Sequence, residues 1–168
     1  MTTPTWALSL AYWVHMLATV TWIGGLAALA IFVLPAAHKS LDRNAYPAFL
    51  ADIRRRLDPL AWLSLVLLVA TGLFQMSANP NYQGFLAINN RWAVAILIKH
   101  LVFIVMTGIS AYLTWGILPA MQRAALRLAH GQQVLESQAL QRREIFLMRL
   151  NLALGLIVLG LTAIARAA

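Results

Sequence analysis

Four long apolar runs constrain the fold of this chain more than any other feature of its sequence. They extend over residues 6–34, 59–77, 91–118 and 145–165. Each is long enough to cross a bilayer as a helix, at about 1.5 Å per residue, and none alternates as an amphipathic strand would. Because lipid offers the backbone no hydrogen-bond partners, such runs must be helical. The sequence therefore predicts an all-α integral membrane four-helix bundle that forms a single domain over residues 1–168.

The composition agrees with a membrane protein and excludes several function classes. Hydrophobic residues make up 61% of the chain, which is far from the mix of a soluble domain. The absence of cysteine excludes disulfides, iron–sulfur clusters, thiolate zinc sites and covalent haem attachment. Most lysines and arginines lie between the apolar runs, so a cytoplasmic position explains them better than nucleic acid binding does. We expect contact with the lipid bilayer and no nucleic acid partner.

The charge distribution predicts the orientation of the chain. Residues 35–58 and 119–144 are basic, whereas residues 79–90 carry no charge. By the positive-inside rule, both basic segments face the cytoplasm and both termini face the periplasm of a bacterial inner membrane. The partly apolar pattern of the basic segments predicts that the spanning helices run on into the cytoplasm or are joined by short amphipathic helices. The first run has neither a basic leader nor a cleavage pattern, so we interpret it as a retained span.

The acidic residues are interpreted as surface groups. All five lie within or at the end of the basic segments: Asp42, Asp52, Asp58, Glu136 and Glu144. Arginines are near each of them in the sequence, so we expect the acidic residues to form ordinary ion pairs at the surface.

Two histidines deep in the apolar runs are the candidate metal ligands. His15 and His100 each lie about nine residues, or roughly 13 Å, from the outer end of the first and third runs. An ionisable side chain at that depth is costly and usually faces the protein interior. Because both runs cross in the same direction, the two imidazoles are predicted to share one depth and to be able to ligate a b-type haem. The alternative is that each donates to a carbonyl or threonine and binds no metal.

Other residues on the same helices would complete a haem site. Those able to surround the porphyrin are Trp22, Phe103, Ile104 and the glycines Gly24, Gly25 and Gly108. The propionates would point outward, toward Arg91, Asn89 or Tyr82. Loop histidines His38 and His130 are interpreted as solvated residues.

Lys99 is the candidate catalytic residue. It lies too deep for its ammonium group to reach the headgroups comfortably, so it is expected to turn inward, to a propionate, a carbonyl or Gln75. A lysine in such surroundings could exchange protons with a substrate.

Copper is the alternative metal. Imidazoles and thioethers suit Cu(I), and Met16, Met76 and Met106 lie on three of the helices. Met16, however, points about 100° away from His15 on the same helix, and methionines in apolar helices usually serve packing.

The two halves of the chain resemble each other. His15 precedes Pro35 by about the same distance as His100 precedes Pro119, and a basic stretch follows each proline. This pattern is consistent with a duplicated two-helix hairpin whose repeats are parallel. Halves of independent origin are the open alternative.

Short motifs around these residues resemble those of a known family. They are His15 with Thr21-Trp-Ile-Gly-Gly-Leu26, Arg56-Leu57, Leu68-Val-Ala-Thr-Gly72, Ile98-Lys99 and Pro119. Together they resemble the CopD-like membrane domain over about residues 8–122. That resemblance implies a multi-span membrane protein associated with copper resistance or uptake.

A more distant similarity is to the HemJ-type protoporphyrinogen oxidases, which are thought to bind haem. His15 and Lys99 stand at the positions of that family's important histidine and lysine. The chain has Ala30-Ile-Phe-Val-Leu34 where those proteins have a Tyr-Leu-Pro-Arg-Leu stretch.

The sequence thus predicts a membrane protein that holds one haem b between His15 and His100. A six-coordinate iron has no free site, so we expect electron transfer, with a quinone or periplasmic partner, rather than an enzyme. The chain could be a homo-oligomer or a subunit of a larger complex. A copper-handling protein and a HemJ-like oxidase are the alternatives.

Overall fold

The computed structural model describes residues 4–42, 45–84, 90–130 and 136–167, and all regular structure in them is helical. The elements follow in this order: α1 (Thr5–Ala27), a π-helical segment (Ala28–Val33), α2 (Leu34–Ser40), α3 (Ala45–Ser77), α4 (Arg91–Tyr112), a second π-helical segment (Leu113–Ile117), α5 (Leu118–Ala129) and α6 (Glu136–Ala167). The expected loop residue Asn89 lies outside the described residues.

Four continuous helical stretches are long and apolar enough to span a membrane: Thr5–Ser40, Ala45–Ser77, Arg91–Leu128 and Gln138–Arg166. They confirm the predicted all-α four-helix membrane bundle. The helices are longer than the apolar runs, because the basic segments continue them. We call the end of the bundle with Thr5 and Arg166 the terminal end, and the opposite end the basic end.

A proline follows each π-helical segment. Pro35 and Pro119 have no amide hydrogen, and in a regular α-helix their rings would clash with the carbonyl one turn earlier. A π-helical turn just before each proline relieves that clash. The same distortion therefore recurs at matching positions in both halves, as a duplicated hairpin would produce.

The bundle consists of two hairpins that pack side by side. Helix α1 packs most extensively on α3, and α4 on α6. Small side chains allow the close contact between α1 and α3, since Ala11 and Ala18 on α1 are buried. At the basic end, Leu34, Leu50 and Met148 belong to the largest apolar core, and all three are almost completely buried.

Large apolar side chains cover the outside of the bundle. Trp13 and Val20 on α1, and Val66 on α3, are more than half exposed. In an aqueous protein such exposure would be costly, whereas in a bilayer these side chains contact lipid tails.

Candidate functional site

His15 is held by helix α3. Its Nδ1 lies 2.8 Å from Thr71 Oγ1, and the Thr71 hydroxyl in turn donates to the Leu67 carbonyl at 2.5 Å. Because the hydroxyl hydrogen is used for Leu67, the Thr71 oxygen must accept a hydrogen from His15 Nδ1. The imidazole edge also lies near Gly72, whose missing Cβ would be 3.5 Å from His15 Cε1.

This arrangement determines the tautomer of His15. With the hydrogen on Nδ1, the neutral ring keeps a free lone pair on Nε2. Histidines that ligate metals use the same arrangement, in which one nitrogen donates to a protein oxygen and the other is left for the metal. The same bond also satisfies the ring without a metal, which is the alternative interpretation made from the sequence.

His100 has the same tautomer, although its hydrogen-bond acceptor is a different kind of group. Its Nδ1 lies 2.7 Å from the carbonyl oxygen of Ile96 on its own helix, and a carbonyl can only accept. In its neutral form, the His100 ring therefore has its free lone pair on Nε2. The side chain is half-buried.

Trp22 and Phe103 bring α1 and α4 into contact. Their rings meet edge to face with centroids 5.6 Å apart, and Trp22 is only 4% exposed. His15 and His100 both precede this pair on helices that run in the same direction. Both histidines therefore lie on the terminal side of the aromatic contact.

Two cations lie near His15. Lys99 and Arg166 are close enough to interact electrostatically with the imidazole, and the Arg166 guanidinium lies 5.3 Å above the ring of Tyr12. Lys99 is half-buried and, among the described residues, makes no hydrogen bond. The expected partner Gln75 instead donates its amide to the carbonyl of Ala11 at 3.0 Å.

No side-chain carboxylate balances these cations at the terminal end. All acidic residues of the chain fall between positions 42 and 144, in the half of each hairpin near the basic end. The surroundings of His15 therefore favour an anionic group over a further cation.

The structure also describes the surroundings of the other predicted site residues. Gly25 lines a cavity toward the basic end, together with Trp22. Arg91 is exposed at the start of α4, and Tyr82 packs beside the Met76 cluster.

The methionines do not gather around either histidine. Met16 is 60% exposed, whereas Met76 and Met106 are buried in two separate apolar clusters. Within the described ranges, no group of three or more His, Asp or Glu side chains could hold a metal ion. His38 and His130 are exposed.

A second polar site, at the basic end, contradicts the surface interpretation of two acidic residues. Glu144 is 1% exposed and Arg54 is 6% exposed, and Asp58 is also largely covered. Arg54 Nη2 lies 3.8 Å from Glu144 Oε1, and Arg54 Nη1 lies 3.6 Å from Asp58 Oδ1. Tyr46 donates its hydroxyl to Glu144 Oε2 at 3.3 Å. We call Arg54, Asp58 and Glu144 the buried ion cluster.

Helical periodicity was the signal that could have revealed this cluster. The buried residues of α6 at the basic end recur every three or four positions: Gln141, Glu144, Met148 and Asn151. On α3, Arg54 lies one turn after the buried Leu50, whereas Arg55 and Arg56 point outward. Glu144 and Arg54 thus continue the apolar faces of their helices. Asp52 and Arg56 do form the exposed pair expected from the sequence.

The buried ion cluster is incompletely hydrogen-bonded. Within the described part of the chain, Glu144 Oε1 and Asn151 Oδ1 are buried without a hydrogen-bond partner. Asn151 uses its amide group to donate to Ser110 Oγ at 2.9 Å. Among the described residues, Arg54 donates a hydrogen bond only to the sulfur of Met148, at 3.5 Å. Buried polar groups are normally satisfied, so these atoms indicate a place for further hydrogen-bonding groups.

Helices, exposed apolar surfaces and internal polar groups together define an integral membrane protein with four helical spans. A family model described as copper resistance protein D, CopD, matches residues 51–165, which is more than half of the chain. The chain belongs to the CopD family, as its motifs suggested. The match does not include His15, and the similarity to HemJ-type oxidases stays a prediction. Searches of characterised proteins and of solved structures found no match.

Proposed function

We propose that this CopD-family protein holds one haem b between α1 and α4, with His15 and His100 as axial ligands. The observation that carries the proposal is that two rings of the same tautomer lie on the terminal side of the Trp22–Phe103 contact. Both rings use Nδ1 for an oxygen acceptor, at 2.8 Å and 2.7 Å, and keep Nε2 free. The exposed His130 also uses Nδ1 for a carbonyl, that of Leu126 at 2.7 Å, but it lies at the basic end. Haem iron bound in this way would supply a one-electron redox couple.

The charges near His15 support a haem more than a bare metal ion. A haem carries two propionates, and Lys99 and Arg166 are cations on the α4 and α6 sides of His15. We assign them to the propionates in place of Arg91, which lies at the start of α4. A copper ion would meet two positive charges and no side-chain carboxylate there.

We assign the terminal end to the periplasmic side of a bacterial inner membrane. This orientation follows the excess of arginine at the basic end. The haem would then lie in the periplasmic half of the bilayer, and electrons would pass between it and a periplasmic or quinone partner.

A copper-handling protein is the second candidate, and the family description favours it. In this case copper is the cargo, and the free Nε2 atoms of His15 and His100 are the candidate ligands. Copper handling needs no visible chromophore, so an absorption spectrum distinguishes the two candidates.

Absorption spectra of protein purified from haem-replete cells test the proposal. We expect sharp α and β bands after reduction and about one haem per chain by the pyridine haemochrome assay. His15→Ala and His100→Ala should each abolish or shift these bands, whereas His38→Ala and His130→Ala should not. A colourless preparation that contains copper by elemental analysis would refute the haem and support the second candidate.

A further inference from the structure

A cavity of about 80 Å³ lies inside the bundle beside the buried ion cluster. Its wall is mostly apolar, and the polar part comes from Arg54, Asp58, Ser110 and Thr114. At about 30 Å³ per molecule, the space suits about two or three water molecules, which need polar partners of this kind. The cavity is therefore large enough for water, and it is too small for an organic ligand.

Asp58 connects this cavity with the outside of the bundle. Its side chain also lines an open groove at the basic end, together with the exposed Asp52, Arg55 and Gln122. The side chain of Asp58 is 22% exposed, and Thr114 in the cavity wall donates to its Oδ2 at 3.3 Å. Water in the groove and water in the cavity can therefore both reach the Asp58 carboxylate.

The buried ion cluster has one negative charge in excess when both carboxyl groups are ionised. Within the described ranges, Arg54 is the only cation paired with Asp58 or Glu144. Asp58 receives a hydrogen bond and is partly exposed, whereas Glu144 is 1% exposed. Glu144 Oε1 lies 3.8 Å from the guanidinium, beyond hydrogen-bond length, and accepts no hydrogen bond from a described residue. The excess charge is therefore costliest at Glu144 Oε1.

The groups around Glu144 leave Oε1 as the oxygen that can accept a proton. Tyr46 and Arg54 face Glu144 from α3, and Tyr46 already donates its hydroxyl to Oε2. The ring of His38 on α2 stacks on that of Tyr46, with centroids 5.2 Å apart. The other charged or titratable side chains of α4, α5 and α6 near this level are exposed: Tyr112, Arg123, Arg127, Arg142, Arg143 and Arg149.

A proton fits this site better than a metal cation does. A proton needs one oxygen, and the O–H group that it forms can donate to water beside Arg54. A metal cation needs several oxygen ligands, and the Arg54 guanidinium would repel it. In the part of the chain that the structure describes, no group of three or more His, Asp or Glu side chains could hold a metal ion.

We propose that the buried ion cluster is a proton-binding site that takes up one proton, on Glu144, from the basic end of the bundle. A hydronium ion in the groove passes its proton through the Asp58 carboxylate and cavity water to Glu144 Oε1. An O–H bond forms there, the hydronium ion is left as water, and no electron moves. Proton uptake does not depend on a haem at His15, so this proposal and the proposed function can fail separately.

Infrared spectroscopy of the full chain in proteoliposomes tests the proposal. The chain has two glutamates, Glu136 and Glu144, so carbon-13-labelled glutamate shifts the carboxyl C=O band of these two residues alone. We expect acidification to produce a labelled band that Glu136→Gln keeps and Glu144→Gln removes, while the circular dichroism spectrum stays helical. The absence of a Glu144 band before the protein unfolds would overturn the proposal. A band that changes with sodium concentration at constant pH would also overturn it, because the ligand would then be a metal cation.

The entry route is tested by the side of acidification and by two matched variants. In oriented proteoliposomes, acid on the side of the basic end should produce the Glu144 band, and acid on the other side should not. Asp58→Asn and Asp52→Asn each remove a carboxylate from the groove, but only Asp58 of these two also lines the cavity.

The rate at which the band appears after a rapid fall in pH distinguishes these variants. We expect Asp58→Asn to slow it by about tenfold or more, because a positioned side chain accelerates proton transfer by about 10²–10⁴-fold. Asp52→Asn should keep the wild-type rate. Equal rates in the two variants, or entry from the terminal end, would contradict the route.

Discussion

Arg54→Met and Arg56→Met compare the same chemical change in two environments on one helix. Each arginine forms an i,i+4 pair with an aspartate at 3.6 Å, Arg54 with Asp58 and Arg56 with Asp52. The side chain of Arg54 is 7% exposed, whereas that of Arg56 is 79% exposed. The distances are equal, so any difference in stability must come from burial, from Glu144 and from the hydrogen bond to Met148.

The two substitutions are expected to lower the free energy of unfolding by amounts that differ several-fold. Arg54→Met leaves the Glu144 carboxylate buried, with no other described cation paired to it, and breaking a buried pair from one side costs about 3–5 kcal/mol. Arg56→Met removes an exposed pair worth about 0.2–1 kcal/mol. At about 2–4 °C per kcal/mol for a chain of this size, Arg54→Met should unfold roughly 6–20 °C below the wild type. Arg56→Met should unfold within about 4 °C of it.

Thermal denaturation in detergent, followed by the helical circular dichroism signal, measures these differences. Glu144→Gln in the Arg54→Met background removes the charge that was left unpaired, so the double variant should regain more than half of the loss. The reasoning is wrong if Arg54→Met and Arg56→Met unfold at the same temperature. It is also wrong if the double variant is no more stable than Arg54→Met, because the cost would then not be electrostatic.

Two further predictions concern glycine packing and the orientation of His15. A Cβ at Gly116 would lie 2.9 Å from the ring of Tyr112, so Gly116→Ala should destabilise the protein by about 1–3 kcal/mol. Gly108→Ala meets open space and should unfold at or slightly above the wild-type temperature in the same assay, because alanine is favoured over glycine inside a helix by about 0.5–1 kcal/mol. Thr71→Val keeps the volume but removes the acceptor for His15, so it should weaken haem binding about 10–100-fold in a titration of haem-depleted protein. An unchanged affinity would show that Thr71 does not orient a ligand.

The spans could be predicted from the sequence because length and hydropathy alone decide whether a helix can cross a bilayer. The exact helix ends could not, because residues 45–58 mix arginines with apolar positions, and this pattern fitted either a continued span or a separate amphipathic helix. The prolines were more informative. Pro35 and Pro119 indicated a repeat, and the structure adds the π-helical turn that each of them imposes.

The candidate site was predictable only in part, because some of its contacts join residues that are far apart in the sequence. The depth of His15 and Lys99 follows from counting residues along a helix, and the structure brings both side chains near each other. The burial of Glu144 depends on which face of α6 meets α3, which is a long-range property. Arg142 and Arg143 precede Glu144 directly in the sequence, so a local interpretation assigned it to the surface. The relevant neighbour, Arg54, is 90 positions away.

The two ends of the bundle differ in the charges that surround their polar groups. Near His15, the half-buried Lys99 and the exposed Arg166 lie without a side-chain carboxylate, so they favour an anionic group there. At the basic end, Arg54 already lies between the carboxyl groups of Asp58 and Glu144, so its positive charge is compensated within the protein. The propionates of the proposed haem would therefore be paired at the terminal end and not in the buried ion cluster.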